Sequence, residues 1–413
     1  MNCFADIAII GGGASGLVSA ISAKRLMPDA EVIIVEGLSR VGKKLITTGN
    51  GRCNISNTEL TLSHFHSENS GFAKYALSKY GNEATQSFFE SIGVPIIAQG
   101  NKLYPASLQA SSVVDCLRFE CERLGIKILT DFKVDTINPK NKIVLACKNN
   151  IVTARAAIFC AGLHSGGEAV GCDGSILKQL KNLGLKTVKL SPSIVQLKTE
   201  TDYVKQLKGI KVDAGVTLCK NERPIAKSFG EVLFCEYGLS GPAIMNISRP
   251  VARDNQNFFI SLDLFPGETA TALGKRIISR RDILFDRTLE EFLTGMINKR
   301  LGQVILKSCH YPLSYKAKDL SNSDCNHIAQ ALKDFRFKVV GTTGFVNSQV
   351  TAGGISTDEF DSHTLMCKKY RGLFAAGELL DIDGDCGGYN LAWAWASGML
   401  AAECAVKYLG ESK

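Results

Sequence analysis

A glycine-rich turn near the start of the chain limits its fold more than any other feature. The apolar run Ile7–Ile10 leads into Gly11–Gly16 (GGGASG), and the residues that follow suit a helix. The spacing Gly-x-Gly-x-x-Gly lets the backbone turn tightly and approach a pyrophosphate, which the N–H groups at the helix start attract. The sequence therefore predicts a strand, a turn and a helix that bind a dinucleotide.

An acidic residue after the next strand strengthens this prediction. The β-branched run Val32–Val35 is typical of a buried parallel strand, and it ends in Glu36, 20 residues after Gly16. A carboxylate at this distance from the glycine turn can accept hydrogen bonds from the adenosine ribose hydroxyls. The first 36 residues are therefore predicted to form one βαβ unit.

Composition sets the broad class of protein. The chain has 413 residues, of which 45% are hydrophobic and 21% are charged. This is the composition of an ordinary globular protein with room for two or three domains. The net charge of +8 is spread too evenly to argue for nucleic acid, and no stretch is apolar enough to predict a membrane span. We therefore expect neither a nucleic-acid nor a membrane partner.

The cysteines and the N-terminus indicate a compartment. The fourteen cysteines include no Cys-x-x-Cys pair, which argues against a zinc ribbon, a thioredoxin motif and a compact disulfide framework. Free thiols in a reducing cytoplasm fit this pattern best. The first residues lack the basic and apolar regions of a signal peptide, so a cytoplasmic location is expected.

The periodicity changes along the chain. Three strand-like runs, 132–137, 142–147 and 151–160, predict a β-meander laid against the parallel sheet. Short alternating strands after Pro192 predict an antiparallel barrel or sandwich. Helical spacing predominates between about 268 and 332. There a capping box of Thr288 with Glu291 predicts a helix whose apolar face comprises Leu289, Phe292, Leu293, Met296 and Ile297.

The segment after Glu36 bears on the choice between NAD and FAD, which share the glycine fingerprint. An NAD dehydrogenase would normally continue with further βαβ units, whereas this chain has a basic, glycine-rich segment, Val41–Asn54. Such a segment suits a phosphate-bearing cofactor extended across the domain. A solvated surface loop is the alternative interpretation of the same residues.

Several motifs, taken together, resemble the BaiN-like or aminoacetone oxidase-like family of FAD-dependent flavoproteins. The first is the Lys-x-Leu…Thr-Gly-x-Gly-Arg-Cys-Asn pattern of Lys43–Asn54, and the next resembles the family's barrel motif at Gly230–Pro242. Ala352–Ile355 resembles its return strand. Gly372–Glu378 and Gly387–Ala394 are similar to its C-terminal FAD motifs. The matches follow the family order from the first strand to the last helix.

This resemblance implies an α/β fold with a glutathione-reductase-like, doubly wound FAD-binding domain. That domain is discontinuous, because a β-barrel with a small helical insert interrupts it. The implied boundaries are 1–190 and 345–413 for the FAD-binding domain, 191–265 and 333–344 for the barrel, and 266–332 for the helical insert.

The resemblance also assigns cofactor-binding residues. The glycine turn would hold the pyrophosphate, Glu36 the adenosine ribose, the Lys44–Asn54 segment the ribityl and flavin side, and the backbone of Val134 the adenine. The helix start after Gly387 would stabilise negative charge on the reduced flavin. The full predicted set is Gly11, Gly13, Ala14, Ser15, Gly16, Glu36, Lys44, Thr48, Gly49, Arg52, Asn54, Val134, Ala161, Gly162, Gly354, Gly377, Glu378, Gly388, Asn390 and Leu391.

The implied activity is hydride transfer between flavin N5 and a small organic substrate held between the FAD domain and the insert. No second Gly-x-Gly-x-x-Gly unit follows, so NAD(P)H would dock transiently, or the enzyme would be an oxidase. The resemblance reaches both reductases of unsaturated 3-oxo steroids and oxidases of aminoacetone. The many unpaired thiols favour the reductase. Two alternatives from other classes are a non-catalytic flavin-binding regulator and an RNA-modifying flavoprotein.

Other candidate residues have simpler interpretations. Glu236 stands where relatives often have histidine, so it is either an acid–base group or a barrel-edge glutamate. His64 and His66 lie in a polar stretch without nearby ligands at metal spacing, which predicts a solvated loop and no metal site. The basic residues Lys275, Arg276, Arg280 and Arg281 indicate a solvated helix face rather than an RNA contact. No catalytic residue is assigned.

Overall fold

A computed structural model of the chain describes residues 2–200, 202–254 and 256–411. These residues form two compact units. The first unit contains residues up to Ser193 and from Phe345 onward, and the second contains Ile194–Gly344. The first unit is therefore discontinuous in sequence, and its break lies within three residues of the predicted boundary at 190/191.

Strands account for the sheet of the first unit and the barrel of the second. Numbered along the chain, they are β1 Asn2–Ile10, β2 Val32–Val35, β3 Ser56–Asn57, β4 Phe65–His66, β5 Ile96–Gln99, β6 Lys102–Pro105, β7 Lys127–Leu129, β8 Thr136–Pro139, β9 Ile143–Cys147, β10 Asn150–Phe159, β11 Thr187–Ser193, β12 Leu197–Thr199, β13 Lys211–Lys220, β14 Arg223–Cys235, β15 Gly238–Ser240, β16 Phe258–Asp263, β17 Phe335–Thr342, β18 Val350–Ile355, β19 Leu373–Ala375 and β20 Asp383–Gly384.

Helices pack against the sheet strands of the first unit and against the barrel strands of the second. They are α1 Ala14–Leu26, α2 Lys43–Thr47, α3 Lys74–Lys79, α4 Asn82–Ser91, α5 Ala110–Arg123, α6 Ser175–Asn182, α7 Pro242–Met245, α8 Arg249–Arg253, α9 Ala270–Ile283, α10 Leu289–Phe292, α11 Lys299–Ser308, α12 Asn322–Lys333 and α13 Tyr389–Glu411.

The main sheet of the first unit has the order β7-β2-β1-β10-β9-β8, and β19 also pairs with β10. Strands β1, β2, β7, β10 and β19 are parallel, and the apolar runs of β1 and β2 are buried, as expected for a sheet covered on both faces. The antiparallel pairs β8–β9 and β9–β10 confirm the predicted meander. Its first strand begins at Thr136 rather than at Phe132.

The second unit is built around a closed barrel with the order β12-β15-β14-β13-β16-β17. Alternate residues of β16 and β17, such as Ile260 and Phe337, point into its core. Helices α9, α11 and α12 share this core, because Leu273, Leu301 and Ile328 belong to the same buried cluster. The barrel and the inserted helices therefore fold as one unit.

One predicted helix begins where expected but is shorter than the sequence indicated. The capping box at Thr288 does not form, since the Thr288 side chain makes no capping hydrogen bond, and α10 ends at Phe292. Gly295 adopts a positive φ of 88°, which interrupts the helix before Met296. Leu289 and Phe292 are nevertheless fully buried, so the apolar spacing marked core positions correctly but overstated the length of the helix.

The uncharged C-terminal stretch forms α13, which packs on α1 and β10 in the core of the first unit. Trp393 and Trp395 are both buried there. Within the described residues, no helix is long and apolar enough to cross a membrane. All fourteen cysteines lie in the described part of the chain, and each is a free thiol.

Candidate functional site

The glycine turn between β1 and α1 is shaped by close backbone contacts on one side and open space on the other. A Cβ at Gly16 would lie 1.9 Å from the Gly11 carbonyl oxygen, and Gly11 itself has a φ of 101°. A Cβ at Gly13, by contrast, would meet no atom within 4 Å. Because no side chain caps α1 at Gly13, its first N–H groups face this space, which suits a pyrophosphate.

Glu36 is held rigidly beside this turn. Its Oε2 accepts a hydrogen bond from the Gly12 N–H at 2.8 Å, and its Oε1 accepts one from the Leu38 N–H at 2.9 Å. Each oxygen retains a second lone pair. The carboxylate is therefore fixed in place and able to accept a further hydrogen bond from a ribose hydroxyl.

Lys44 and Glu378, both predicted to contact the cofactor, form an ion pair with each other. Ser165 Oγ donates to Glu378 Oε1 at 2.7 Å, and the Thr351 N–H donates to the same oxygen at 2.8 Å. Burial disfavours the charged form of both partners, but the opposite charge outweighs it. The pKa of Glu378 consequently lies below its ordinary value, and the pKa of Lys44 lies above its own.

Sequence reasoning missed Ser165 and Thr351 in this network. Neither residue belongs to a motif, and Thr351 Oγ1 accepts the backbone N–H groups of His164 and Ser165 at 3.1 and 3.0 Å. Together they fix the loop after β10 against the Gly377–Glu378 turn. No local sequence signal distinguishes them from other serines and threonines in the chain.

The turn from Thr48 to Asn54 contains a buried polar atom that lacks a partner. Within the described residues, Asn54 Oδ1 is buried and accepts no hydrogen bond. Buried amide oxygens are normally paired, so an unpaired one indicates a ligand or an ordered water. Nearby, Thr48 Oγ1 donates to Leu45 O at 2.7 Å, and the Arg52 guanidinium lies 4.9 Å above the Tyr104 ring. These contacts hold the turn without using Asn54 Oδ1.

The start of α13 packs tightly against this turn. Gly388 has a φ of 103°, and a Cβ there would lie 2.5 Å from the Ser56 carbonyl oxygen and 2.9 Å from Asn54 Oδ1. The Asn390 side chain accepts from the Gly384 N–H and donates to Gly384 O, both at 2.8 Å. Asn390 therefore braces the turn internally, and the groups left to offer a ligand at this helix start are backbone N–H groups.

The remaining predicted residues lie around the same elements. A Cβ at Gly377 would lie 2.6 Å from Ser15 Oγ, so the first glycine turn touches the Gly377–Glu378 turn. A Cβ at Gly11 would approach Ala161, which precedes Gly162. Gly354 has a φ of 144° and packs against Leu379 O. Val134 is buried in the segment between β7 and β8. Their contacts with a cofactor stay predictions.

His64 and His66 do not form the predicted solvated loop. His64 Nδ1 lies 3.0 Å from Asp385 Oδ2, and His66 Nε2 lies 2.7 Å from Asp385 Oδ1. The rings are brought together because β4 pairs with β20, more than 300 residues away in sequence. No periodicity or motif around residue 64 could have shown this pairing. Within the described residues, no group of His, Cys, Asp or Glu side chains could hold a metal ion.

Glu236 is an exposed residue of the second unit. It lies between β14 and β15 and pairs with Lys208 at 2.8 Å. The hydrogen bond and charge of Lys208 lower the pKa of Glu236, which keeps it ionised near neutral pH. This arrangement fits a barrel-edge glutamate.

These features define the class of protein. An open glycine turn, an uncapped helix start, a fixed carboxylate and an unpaired buried amide oxygen fit a dinucleotide cofactor on a Rossmann-type domain. Residues 5–404 match the family model described as "HI0933-like protein Rossmann domain", and the chain belongs to this family. The predicted fold class is confirmed, and the protein is an FAD-dependent oxidoreductase.

Two relatives of known activity align with almost the whole chain. The chain is 35% identical over 406 residues to a 3-dehydro-bile acid delta(4,6)-reductase of Clostridium scindens. The alignment covers 97% of this chain and 99% of the relative. It is 27% identical over 418 residues to a ribosomal RNA dihydrouridine synthase of Haemophilus influenzae. That alignment covers 97% of this chain and 98% of the relative.

Solved structures show the same fold at lower identity. A 3-ketosteroid-delta4-(5alpha)-dehydrogenase from Rhodococcus jostii, solved with 4-androstene-3,17-dione, superposes with a TM-score of 0.51. It is 15% identical and covers 98% of this chain and 97% of its own. At this identity the similarity establishes the fold alone.

Proposed function

We propose that the protein is an FAD-dependent reductase that saturates a carbon–carbon double bond conjugated to the 3-oxo group of a steroid or bile-acid-like substrate. The observation that carries this proposal is the 35% identity to a bile acid delta(4,6)-reductase along almost the full length of both chains. The family resemblance inferred from the sequence motifs points to the same chemistry.

The residues of the first unit would divide the work of holding the cofactor. The open turn at Gly13 and the start of α1 would hold the pyrophosphate, and Glu36 would accept from the ribose hydroxyls. Asn54 Oδ1 and the backbone N–H groups at the start of α13 would face the flavin end. Bound FAD supplies hydride transfer, and the protein supplies position and electrostatics. The Lys44–Glu378 ion pair would keep the Gly377–Glu378 turn in place.

We further propose that a reduced nicotinamide supplies the electrons by docking transiently. The sequence carries one glycine fingerprint, at Gly11–Gly16, and the cofactor that it would hold is FAD. A donor that binds only during its own half-reaction needs no second fingerprint.

The test is turnover of a defined substrate. Holo-protein is incubated anaerobically with NADH or NADPH and a 3-oxo-delta(4,6) bile acid, and products are analysed by mass spectrometry. We expect loss of the conjugated chromophore and a gain of two hydrogens for each reduced bond. The matched control is the 3-hydroxy analogue, which lacks the activating carbonyl and should not react. Reduction of the bound flavin by the nicotinamide without any steroid product would contradict the proposed substrate.

A second candidate is reduction of uridine in RNA, which the 27% identity to a dihydrouridine synthase favours. The chemistry is related, because the uracil double bond is also conjugated to a carbonyl. Three of the basic residues of α9, however, are used within the chain. Arg276 pairs with Glu268 at 2.9 Å, Arg281 pairs with Asp282 at 2.9 Å, and Arg280 donates to the Phe292 carbonyl. This arrangement favours the small-molecule substrate.

The two candidates separate in one pair of assays. Ribosomal RNA is offered to the reduced protein and analysed for dihydrouridine, and RNA binding is measured at low and moderate salt. The steroid proposal predicts no dihydrouridine and no binding that falls steeply with salt. Dihydrouridine formation, with no reaction of the bile acid, would establish the second candidate instead.

A further inference from the structure

Three titratable side chains from distant parts of the sequence meet beside the start of α13. We define the His–Asp–His cluster as His64, His66 and Asp385. Each imidazole contacts a different oxygen of the Asp385 carboxylate, at 3.0 and 2.7 Å. The Asp385 N–H also donates to the His64 carbonyl at 2.9 Å, next to the β4–β20 pairing. The cluster is therefore held by both backbone and side-chain contacts.

The cluster is attached directly to the helix start that is predicted to face the flavin. The His64 ring stacks on Tyr389, the first residue of α13, with ring centroids 4.3 Å apart and planes 17° apart. Asn390 Nδ2 lies 3.4 Å from the Asp385 carbonyl oxygen. A change of charge in the cluster would thus act within a few ångströms of the first turn of α13, where a helix dipole favours negative charge.

The cluster can exchange protons with water. Its three side chains are 31%, 33% and 34% exposed. Burial disfavours the charged form of Asp385, but the contacts with His66 and His64 outweigh it, so that the pKa of Asp385 lies below its ordinary value. One carboxylate charge is therefore shared by two imidazoles. Histidine in general is the side chain best suited to act as a proton switch near neutral pH.

The nitrogens that do not contact Asp385, His64 Nε2 and His66 Nδ1, are the positions left for an added proton. The other titratable groups around the cluster lie on four elements or their flanks. Asp383 lies opposite His66 in the β4–β20 pairing, and Cys386 and Tyr389 follow Asp385 in the chain. Lys102 interacts electrostatically with Cys386, and Glu59 interacts with Tyr389.

We propose that the His–Asp–His cluster takes up a proton when the flavin at the start of α13 is reduced, and that it thereby sets the pH dependence of the flavin potential. Reduction by hydride adds two electrons and one proton to the flavin, which leaves one new negative charge. That charge favours binding of a second proton, taken from solvent, at His64 Nε2 or His66 Nδ1. Linkage is reciprocal, so protonation of the cluster makes the flavin easier to reduce. The proposal rests on FAD binding alone and requires no particular substrate.

The test compares midpoint potentials of the holo-protein by spectroelectrochemistry, from about pH 5.5 to about pH 8.5 around the ordinary histidine pKa. Wild type is compared with His64→Gln/His66→Gln, and His310→Gln serves as control, because His310 is an exposed residue of the second unit. We expect the wild-type potential to fall more steeply with pH than that of the double variant. One linked proton corresponds to about 30 mV per pH unit for a two-electron couple. The control should follow wild type.

A second measurement needs no variant. Ring-proton NMR titrations of the wild-type holo-protein, oxidised and reduced, should show two of the six histidines titrating at higher pH after reduction. Equal potential slopes in wild type and double variant, or unchanged histidine titrations, would overturn the proposal. A wild-type protein that binds no flavin would overturn it together with the cofactor assignment, and the visible spectrum distinguishes that outcome from the others.

Discussion

The candidate site contains two glycine turns that each lead into a helix, and they are built in different ways. At the first turn, before α1, a Cβ at Gly13 would meet nothing within 4 Å. At the second turn, before α13, a Cβ at Gly388 would lie 2.5 Å from a backbone oxygen. The first turn keeps space for a ligand, whereas the second uses its glycines to pack the chain against itself. Gly13 therefore leaves room for binding at the first turn, whereas Gly388 permits close packing at the second.

The largest expected effect is that of Gly388→Ala. The added methyl group would meet Ser56 O at 2.5 Å at a φ of 103°, and both clash and strain would act. We expect a loss of about 3 kcal/mol of stability and failure to retain FAD. Thermal unfolding and flavin content measure both. The matched control is Gly51→Ala, where φ is 80° but no atom lies within 4 Å of the new Cβ. Equal stability of the two variants would contradict the packing role of Gly388.

The next effect concerns the ion pair between Lys44 of α2 and Glu378. Lys44→Met would leave the Glu378 carboxylate part-buried without its cation, and we expect a loss of about 2 kcal/mol in chemical unfolding. Lys44→Met/Glu378→Met should recover part of this loss, because neither charge is then unpaired. If the double variant loses more unfolding free energy than the two single variants lose together, the pair is not attractive.

The Lys44–Glu378 ion pair should also make the stability of the fold depend on pH. The folded-state pKa of Glu378 is lowered, so its contribution to stability is present above its ordinary value and is lost as pH falls through the folded value. The pKa of Lys44 is raised, so its contribution is present below its ordinary value and is lost as pH rises through the folded value. The stability difference between wild type and Lys44→Met should therefore be largest near neutral pH and shrink in acid. A constant difference down to strongly acidic pH would contradict this.

A smaller effect is expected at the acid beside the first turn. Glu36→Ala removes a fixed hydrogen-bond acceptor, and we expect FAD affinity to fall about tenfold, which is about 1.4 kcal/mol. Titration of FAD into apo-protein measures this. Glu31→Ala, an exposed acid nearby, should bind FAD like wild type. Unchanged affinity of Glu36→Ala would remove Glu36 from the cofactor site.

The smallest effect on stability is expected for Gly13→Ala. Its φ of −83° is ordinary, and the new Cβ would meet no atom, so we expect a stability change within about 0.5 kcal/mol. FAD affinity should fall nevertheless, because the methyl group enters the space left for the pyrophosphate. A variant that loses stability like Gly388→Ala would break the contrast between the two turns.

The same contrast explains how much the sequence could predict. The first turn depends on residues within one βαβ unit, so spacing alone located Gly11, Gly16 and Glu36. Other parts of the site depend on partners far away in sequence: Lys44 meets Glu378 across 334 positions, and His64 meets Asp385 across 321. The resemblance located Lys44 and Glu378 but not their pairing, and no pattern could join the histidines to Asp385.

The helix predicted at residues 288–297 is shorter in the structure for a related reason. Apolar spacing identified Leu289 and Phe292 as core residues, and both are buried. Where the helix ends, however, depends on the left-handed conformation of Gly295, and tertiary packing overrides helical periodicity in so short a segment.

A visible spectrum tests most directly whether this protein is a flavoprotein reductase. Purified protein, reconstituted with FAD and freed of excess cofactor, is examined anaerobically before and after addition of NADH or NADPH, and then after addition of a 3-oxo-delta(4,6) bile acid. We expect a bound flavin spectrum that bleaches with nicotinamide and returns with the bile acid. A protein that retains no flavin, or a reduced flavin that oxygen but not the bile acid reoxidises, would contradict it.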